Sequence, residues 1–147
     1  SYLQLQRRGF NHYGKNEDPK AHQMILGMQK SVLAQLLHPA VLLRISDTAL
    51  YGNKYSLTQF MQDLTANIFV KSKDANSISH NLQIEYVNQL IAIAGLGKAS
   101  KYDNLAKTAA LYQLTQIADT SVAWGADTAT KAHKKYIDRL IAKALEA

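Results

Sequence analysis

The chain has 147 residues, the size of one ordinary domain, and 47% of them are hydrophobic, enough for a single core and too many for a disordered tail. It has no cysteine, which excludes a disulfide framework, a cysteine nucleophile and a cysteine-based zinc site, and no run of about 18 consecutive apolar residues, which excludes a membrane-spanning helix. Lys and Arg outnumber Asp and Glu by 17 to 11; the net charge of +6 attracts anions without selecting one.

Apolar residues recur at three- and four-residue intervals almost throughout, and alternating strand-like runs are nearly absent, so the chain reads as all-α. Residues 1–17 form an irregular lead-in that does not read as a secretory signal. Asp18 can then cap a helix with Pro19 in its first turn and an inward stripe of Ala21, Met24, Ile25, Met28, Val32, Leu33, Leu36 and Leu37. His38 precedes Pro39 and is pushed out of the α region, its imidazole expected to meet free carbonyls at the helix end. A second, shorter helix carries Val41, Leu42 and Ile45 and runs out near residues 52–53.

Ser56 and Gln59 make a capping box for a third helix, which buries Leu57, Phe60, Met61, Leu64 and Ile68. After a polar loop at 71–76, a fourth helix capped by Ser77 or Ser79 places Ile78, Leu82, Tyr86, Leu90 and Ile93 on one side; Gly95 and Gly97 end it. Ser100 and Asp103 suggest a capping box for a fifth helix with Leu105, Leu111, Leu114, Ala118 and Val122 inward, closed by Trp124 and Gly125. Asp127 caps the last helix, with Ala132, Tyr136, Ile137, Leu140, Ile141, Ala144 and Leu145 inward and Lys131, Lys135, Arg139 and Lys143 outward. The expected architecture is a compact bundle of about six helices in one domain spanning 1–147. A weak seam at 95–100 would set a larger N-terminal bundle apart from a C-terminal helical hairpin.

Candidate chemistry is sparse. None of His12, His22, His38, His80 and His133 lies four residues from another, so the helical spacing that aims two imidazoles at one metal is missing. His80 and His133 read as surface positions on early helical turns, and Asp63 and Glu85 as solvated or structural acids. Residues 95–98 (Gly-Leu-Gly-Lys) lack the full spacing of a phosphate loop and follow a helix, so they read as a helix terminator. The eight tyrosines are scattered and form no stacking platform beside the basic stripe.

Four segments in order, SVLAQLLHPAVLLRISDTAL (31–50), YSLTQFMQDLTANIF (55–69), ISHNLQIEYVNQLIA (78–92) and DTATKAHKKYIDRLIAKALE (127–146), resemble the C-terminal helical region of large bacterial zinc metalloproteases of the met-zincin type. The resemblance implies a parent protease whose H-E-x-x-H motif, with two zinc-binding histidines and a water-activating glutamate, lies in an upstream catalytic domain. This chain contains no such motif. It departs from the family pattern at Ser79 and His80, where an arginine pair is usual, and at Thr65, Ala66, Asn67 and Phe69 within a D-L-R-R-G-I-W stretch. If the lost arginines bind substrate or an acidic partner in relatives, this chain has abandoned that contact; the preferred reading is that they are surface salt-bridge donors, worth about 0–1 kcal/mol each.

The expected function is a non-catalytic accessory domain packed on the catalytic domain of the same polypeptide, with no catalytic residue, cofactor or metal of its own; zinc belongs to the parent's catalytic domain. Arg7, Arg8, Arg44, Lys131, Lys135, Arg139 and Lys143 are the interface candidates. By the same resemblance, the location is periplasmic, outer-membrane-associated or secreted. A free-standing module binding nucleic acid or another polyanion is the competing reading, and a small enzyme using His80 or His133 is a third.

Overall fold

The computed structural model describes residues 19–50, 57–69, 77–96, 99–119, 124 and 127–146. They form six helices and no strand: α1 (Pro19–Leu36), α2 (Pro39–Leu50), α3 (Leu57–Phe69), α4 (Ser77–Ala94), α5 (Asn104–Ala118) and α6 (Thr128–Glu146). The expected caps at Asp18 and Ser56, the loop at 71–76 and the stop at 52–53 lie outside the described residues.

Local chemistry sets most of the boundaries. His38 caps α2: its carbonyl accepts from Val41 and Leu42, and its Nδ1 accepts from the Ala40 amide at 3.1 Å. The imidazole therefore serves the start of α2, as an Asn or Asp side chain would, and not the carbonyls that end α1. Gly95 ends α4 with φ 71°, and the bonds from Gly95 to the Ala92 carbonyl and from Leu96 to the Ile91 carbonyl complete a Schellman motif. Asp103 itself caps α5 by accepting from the Ala106 amide, 2.9 Å away. Ser100, expected to cap, instead donates to the Ile93 carbonyl and accepts from the Tyr102 amide. Asp127 caps α6 as expected, taking the Thr130 amide at 3.0 Å and the Thr130 hydroxyl at 2.7 Å.

The central pair is α4 and α5, which share the largest interface; α1, α3 and α6 lie against α4, while α2, α3 and α6 also reach α5. Leu33 of α1 and Leu37 just after it, Leu42 of α2, Met61 and Leu64 of α3, Tyr86, Leu90 and Ile93 of α4 and Ile137 and Ile141 of α6 join one core. Tyr102, on the connection between the central pair, donates to the Leu37 carbonyl at 2.7 Å and ties the end of α1 to it.

From the expected stripes α3 buries Leu57, Met61, Leu64 and Ile68 and α4 buries Tyr86, Leu90 and Ile93, with Phe60 and Leu82 half-buried and the Ile78 side chain outside the description, whereas α1, α5 and α6 turn differently. Met24 (68% exposed) and Met28 lie outward on α1, which buries Gln29 and Leu33, with Leu37 buried just beyond its end. α5 ends at Ala118, earlier than expected, and buries Ala106, Ala109, Ala110, Gln113, Leu114 and Ile117. Leu105 (64% exposed), Leu111 and Ala118 face out. With apolar residues on every side of α5, packing decided the face, and alanines permit the closer approach to neighbours. On α6, Thr130, His133, Ile137 and Ile141 are buried, while Ala132, Tyr136 and Leu145 are exposed.

Candidate functional site

Arg7 and Arg8 fall outside the described residues. Arg44 is exposed on α2, and Lys131, Lys135, Arg139 and Lys143 are all exposed along α6. Four-residue spacing advances these four by one helical turn at a time, so the stripe extends about 18 Å. The ion pair beside it, Lys134 with Asp138 at 2.8 Å, leaves the stripe cationic. Tyr136, 52% exposed, sits among these cations, so the stripe has an aromatic neighbour that the inward assignment of Tyr136 had hidden.

A second surface feature is an apolar cleft of about 190 Å³ where the start of α2 meets the start of α5. Pro39, Leu42, Leu43, Tyr102 and Ala106 line it, and Lys101 and Asp103 stand at its polar edge. Leu43 is exposed here, and Leu105 lies beside Ala106 in sequence at the same end of α5.

Two buried polar clusters were missed by sequence reasoning. In the first, Thr65 of α3 meets the Tyr86 hydroxyl at 2.6 Å and the Gln113 side-chain amide at 2.8 Å, and also donates to the Met61 carbonyl at 2.9 Å. Tyr86 reaches the same carbonyl at 3.2 Å. Thr65 has one proton and two lone pairs; if it donates to Met61, both Tyr86 and the Gln113 amide must donate to it. That favours turning the Gln113 Nε2, otherwise buried without a partner, toward Thr65. Burial pushes the Tyr86 phenol well above its ordinary value, with the Thr65 hydrogen bond working against that rise.

The second cluster corrects the surface assignment of His80 and His133. Their rings stack face to face, 3.8 Å between centroids and 4° from parallel. His133 is only 7% exposed, and its Nε2 meets Gln83 Oε1 at 2.8 Å. Gln83 Nε2 in turn donates to the Ile68 carbonyl at 3.2 Å. Trp124 packs edge-on against Phe69 and tilted against His133, with Lys134 above its indole. Burial lowers both imidazoles, His133 to about 4 with the neighbouring His80 as a second cause, while the Asp127 carboxylate partly restores His80.

Among the described residues no three His, Asp or Glu groups converge to hold a metal, His38 Nδ1 is occupied by a backbone amide, and His133 Nε2 is occupied by Gln83. Position 65, one of the departures from the family pattern, lies inside the bundle and so carries core chemistry, not a surface ion pair. Position 80 is likewise half-buried.

No helix among the described residues is long and apolar enough to cross a membrane. No curated protein and no solved structure matches the chain. The sequence does match the Met-zincin family over residues 2–76, just over half its length, taking in the segments at 31–50 and 55–69 and ending before those at 78–92 and 127–146. The chain therefore belongs to the Met-zincin family.

Proposed function

We propose that this chain is a non-catalytic helical part of a zinc-dependent metallopeptidase, supporting the catalytic domain of the same polypeptide. The family match carries this reading. The surface supports it: α5 has a single charged residue, Lys107, and an outward arc of Asn104, Leu105, Thr108, Leu111, Tyr112, Thr115 and Ala118 without any charge. An exposed helix face of that composition suits burial against another part of a protein better than water. The parent's exported location follows from the same reading.

The intact open reading frame tests it. An upstream H-E-x-x-H sequence is expected. In the intact protein, Leu43→Glu with Leu105→Glu is expected to open the junction to limited proteolysis and reduce peptidase activity. The same substitutions should leave the helicity of this chain unchanged by circular dichroism. An intact protein without the motif, or one indifferent to the double substitution, removes the reading.

The exposed α6 stripe with Tyr136 beside it favours a second reading, a module that binds a polyanion. Phosphate contacts strengthen steeply as salt falls, so undetectable affinity for DNA or RNA at low ionic strength eliminates it.

A further inference from the structure

Protonation of the stacked histidines conflicts with how their nitrogens are placed. The Ile68 carbonyl can only accept, which fixes Gln83 with Nε2 toward it and Oε1 toward His133. In neutral His133 the proton accordingly sits on Nε2. Among the described residues the buried His80 Nε2 has no hydrogen-bond partner, so the neutral ring keeps its proton on Nδ1, and an added proton on Nε2 meets no acceptor among them. A second proton, on His133, would put two cations face to face at 3.8 Å.

The surroundings offer little compensation. Among the described residues, Asp127, in front of α6, is the carboxylate that favours charge on His80, and it is already engaged by Thr130. Lys134 lies over Trp124 and is neutralised by Asp138. From α3 the pair meets the Phe69 ring, through Trp124, and the Ile68 carbonyl, through Gln83. Among the described residues, the charged groups that shift the two rings are Asp127, which favours charge on His80, and His80, which disfavours it on His133.

We propose that the His80–His133 stack is an acid-operated latch: neutral, it holds the first turns of α6 on α4, with Trp124 against His133, and protonated, it releases them. The rings join helices that are distant in sequence, and Gln83, which fixes His133, is itself fixed by the end of α3. Losing the stack therefore loosens α6 without touching the apolar contacts between α4 and α5. The release belongs to the window from 6.5, the ordinary imidazole value, down to about 4.

Trp124 is the single tryptophan of the chain, and its ring centroid lies 5.9 Å from that of His133, so its emission reports the latch directly. Acidification of the whole chain is expected to change that emission reversibly, with a midpoint between 6.5 and about 4, while most of the helical signal remains. His80→Phe keeps an aromatic face on His133 and leaves His133 as the one titrating ring of the stack; its midpoint should fall, but not as far as about 4, because the His80 charge that helps to lower His133 is gone. Histidine ring resonances of the unsubstituted chain supply a measurement that needs no variant. Both rings should titrate below 6.5, together with amide shifts in the first turns of α6. Flat emission across this window, an unchanged midpoint in His80→Phe, or two rings titrating as free imidazole overturns the proposal. So does loss of the entire helical signal at the same midpoint as the emission change, because release would then be global unfolding.

Discussion

Thr65, Tyr86 and Gln113 meet where α3, α4 and α5 join, whereas His80, Gln83 and His133 meet where α4 joins α6. Both clusters place polar groups inside an apolar bundle, and both hold them with hydrogen bonds to side chains and to a helix carbonyl of α3. They differ in what a proton does. Tyr86 is raised above its ordinary 10, so the unfolded chain releases that proton first; the stability is present below pH 10 and is lost as pH climbs. The imidazoles are lowered, so the unfolded chain takes up protons first; that stability is present above pH 6.5 and is lost as pH falls toward about 4. One way of satisfying buried polar groups thus gives the bundle an alkaline limit from one cluster and an acid limit from the other.

The largest expected effect lies in the first cluster. Tyr86 is fully buried and central, so Tyr86→Ala should cost about 3–5 kcal/mol in urea unfolding. Tyr86→Phe should cost only about 1–2 kcal/mol, the hydroxyl's share, and should weaken the alkaline limit, leaving the share of Tyr102, whose phenol burial also raises. If Tyr86→Phe keeps that limit in full, another group sets it. Next comes the acid limit: the unsubstituted chain should lose about 1–3 kcal/mol between neutral pH and pH 4, read as a falling urea midpoint at constant slope. A stability profile that is flat in that range would mean the two clusters do not differ in the way described. Thr65→Val is smaller again, about 1–2 kcal/mol, because the shape is kept while Gln113 loses its partner. That cost should be the same at pH 5 and pH 8, as no titrating group within this range is touched.

The sequence makes one of these clusters partly visible and conceals the other. Helix starts at Pro19, Pro39 and Asp127 and the stop at Gly95 are readable because each depends on a few adjacent residues. The buried stripe of α3 is readable because its apolar and polar sides separate cleanly. Thr65, Tyr86 and Gln113 stand in register with buried apolar neighbours on three helices, a signal that polar groups share the interior. The histidine stack leaves no comparable trace. His80 and His133 meet only because of how α4 lies against α6, and no spacing within either helix encodes that crossing. The faces of α5 and α6 were hidden for a related reason: Leu105 and Tyr136 are as apolar as the side chains buried in their place, so tertiary packing made the choice.

The smallest expected effect isolates the coupling between a helix cap and the imidazoles. Asp103 and Asp127 do the same local work, each accepting the amide three residues on, at 2.9 and 3.0 Å. Asn caps a helix about as well as Asp, so Asp→Asn at either site should keep the helix start. Only Asp127 also faces His80, where its charge favours the imidazolium. Asp127→Asn should therefore make His80 harder to protonate and move the acid transition of Trp124 emission to lower pH, by about a few tenths of a unit, as expected for one exposed charge. High salt should shrink that shift. Asp103→Asn should leave the transition where it is, because α5 begins at the other end of the bundle, beside the Gly95 turn and the end of α1. Equal shifts from the two substitutions would show that the acid transition follows the net charge of the chain and not the field of one carboxylate on one ring.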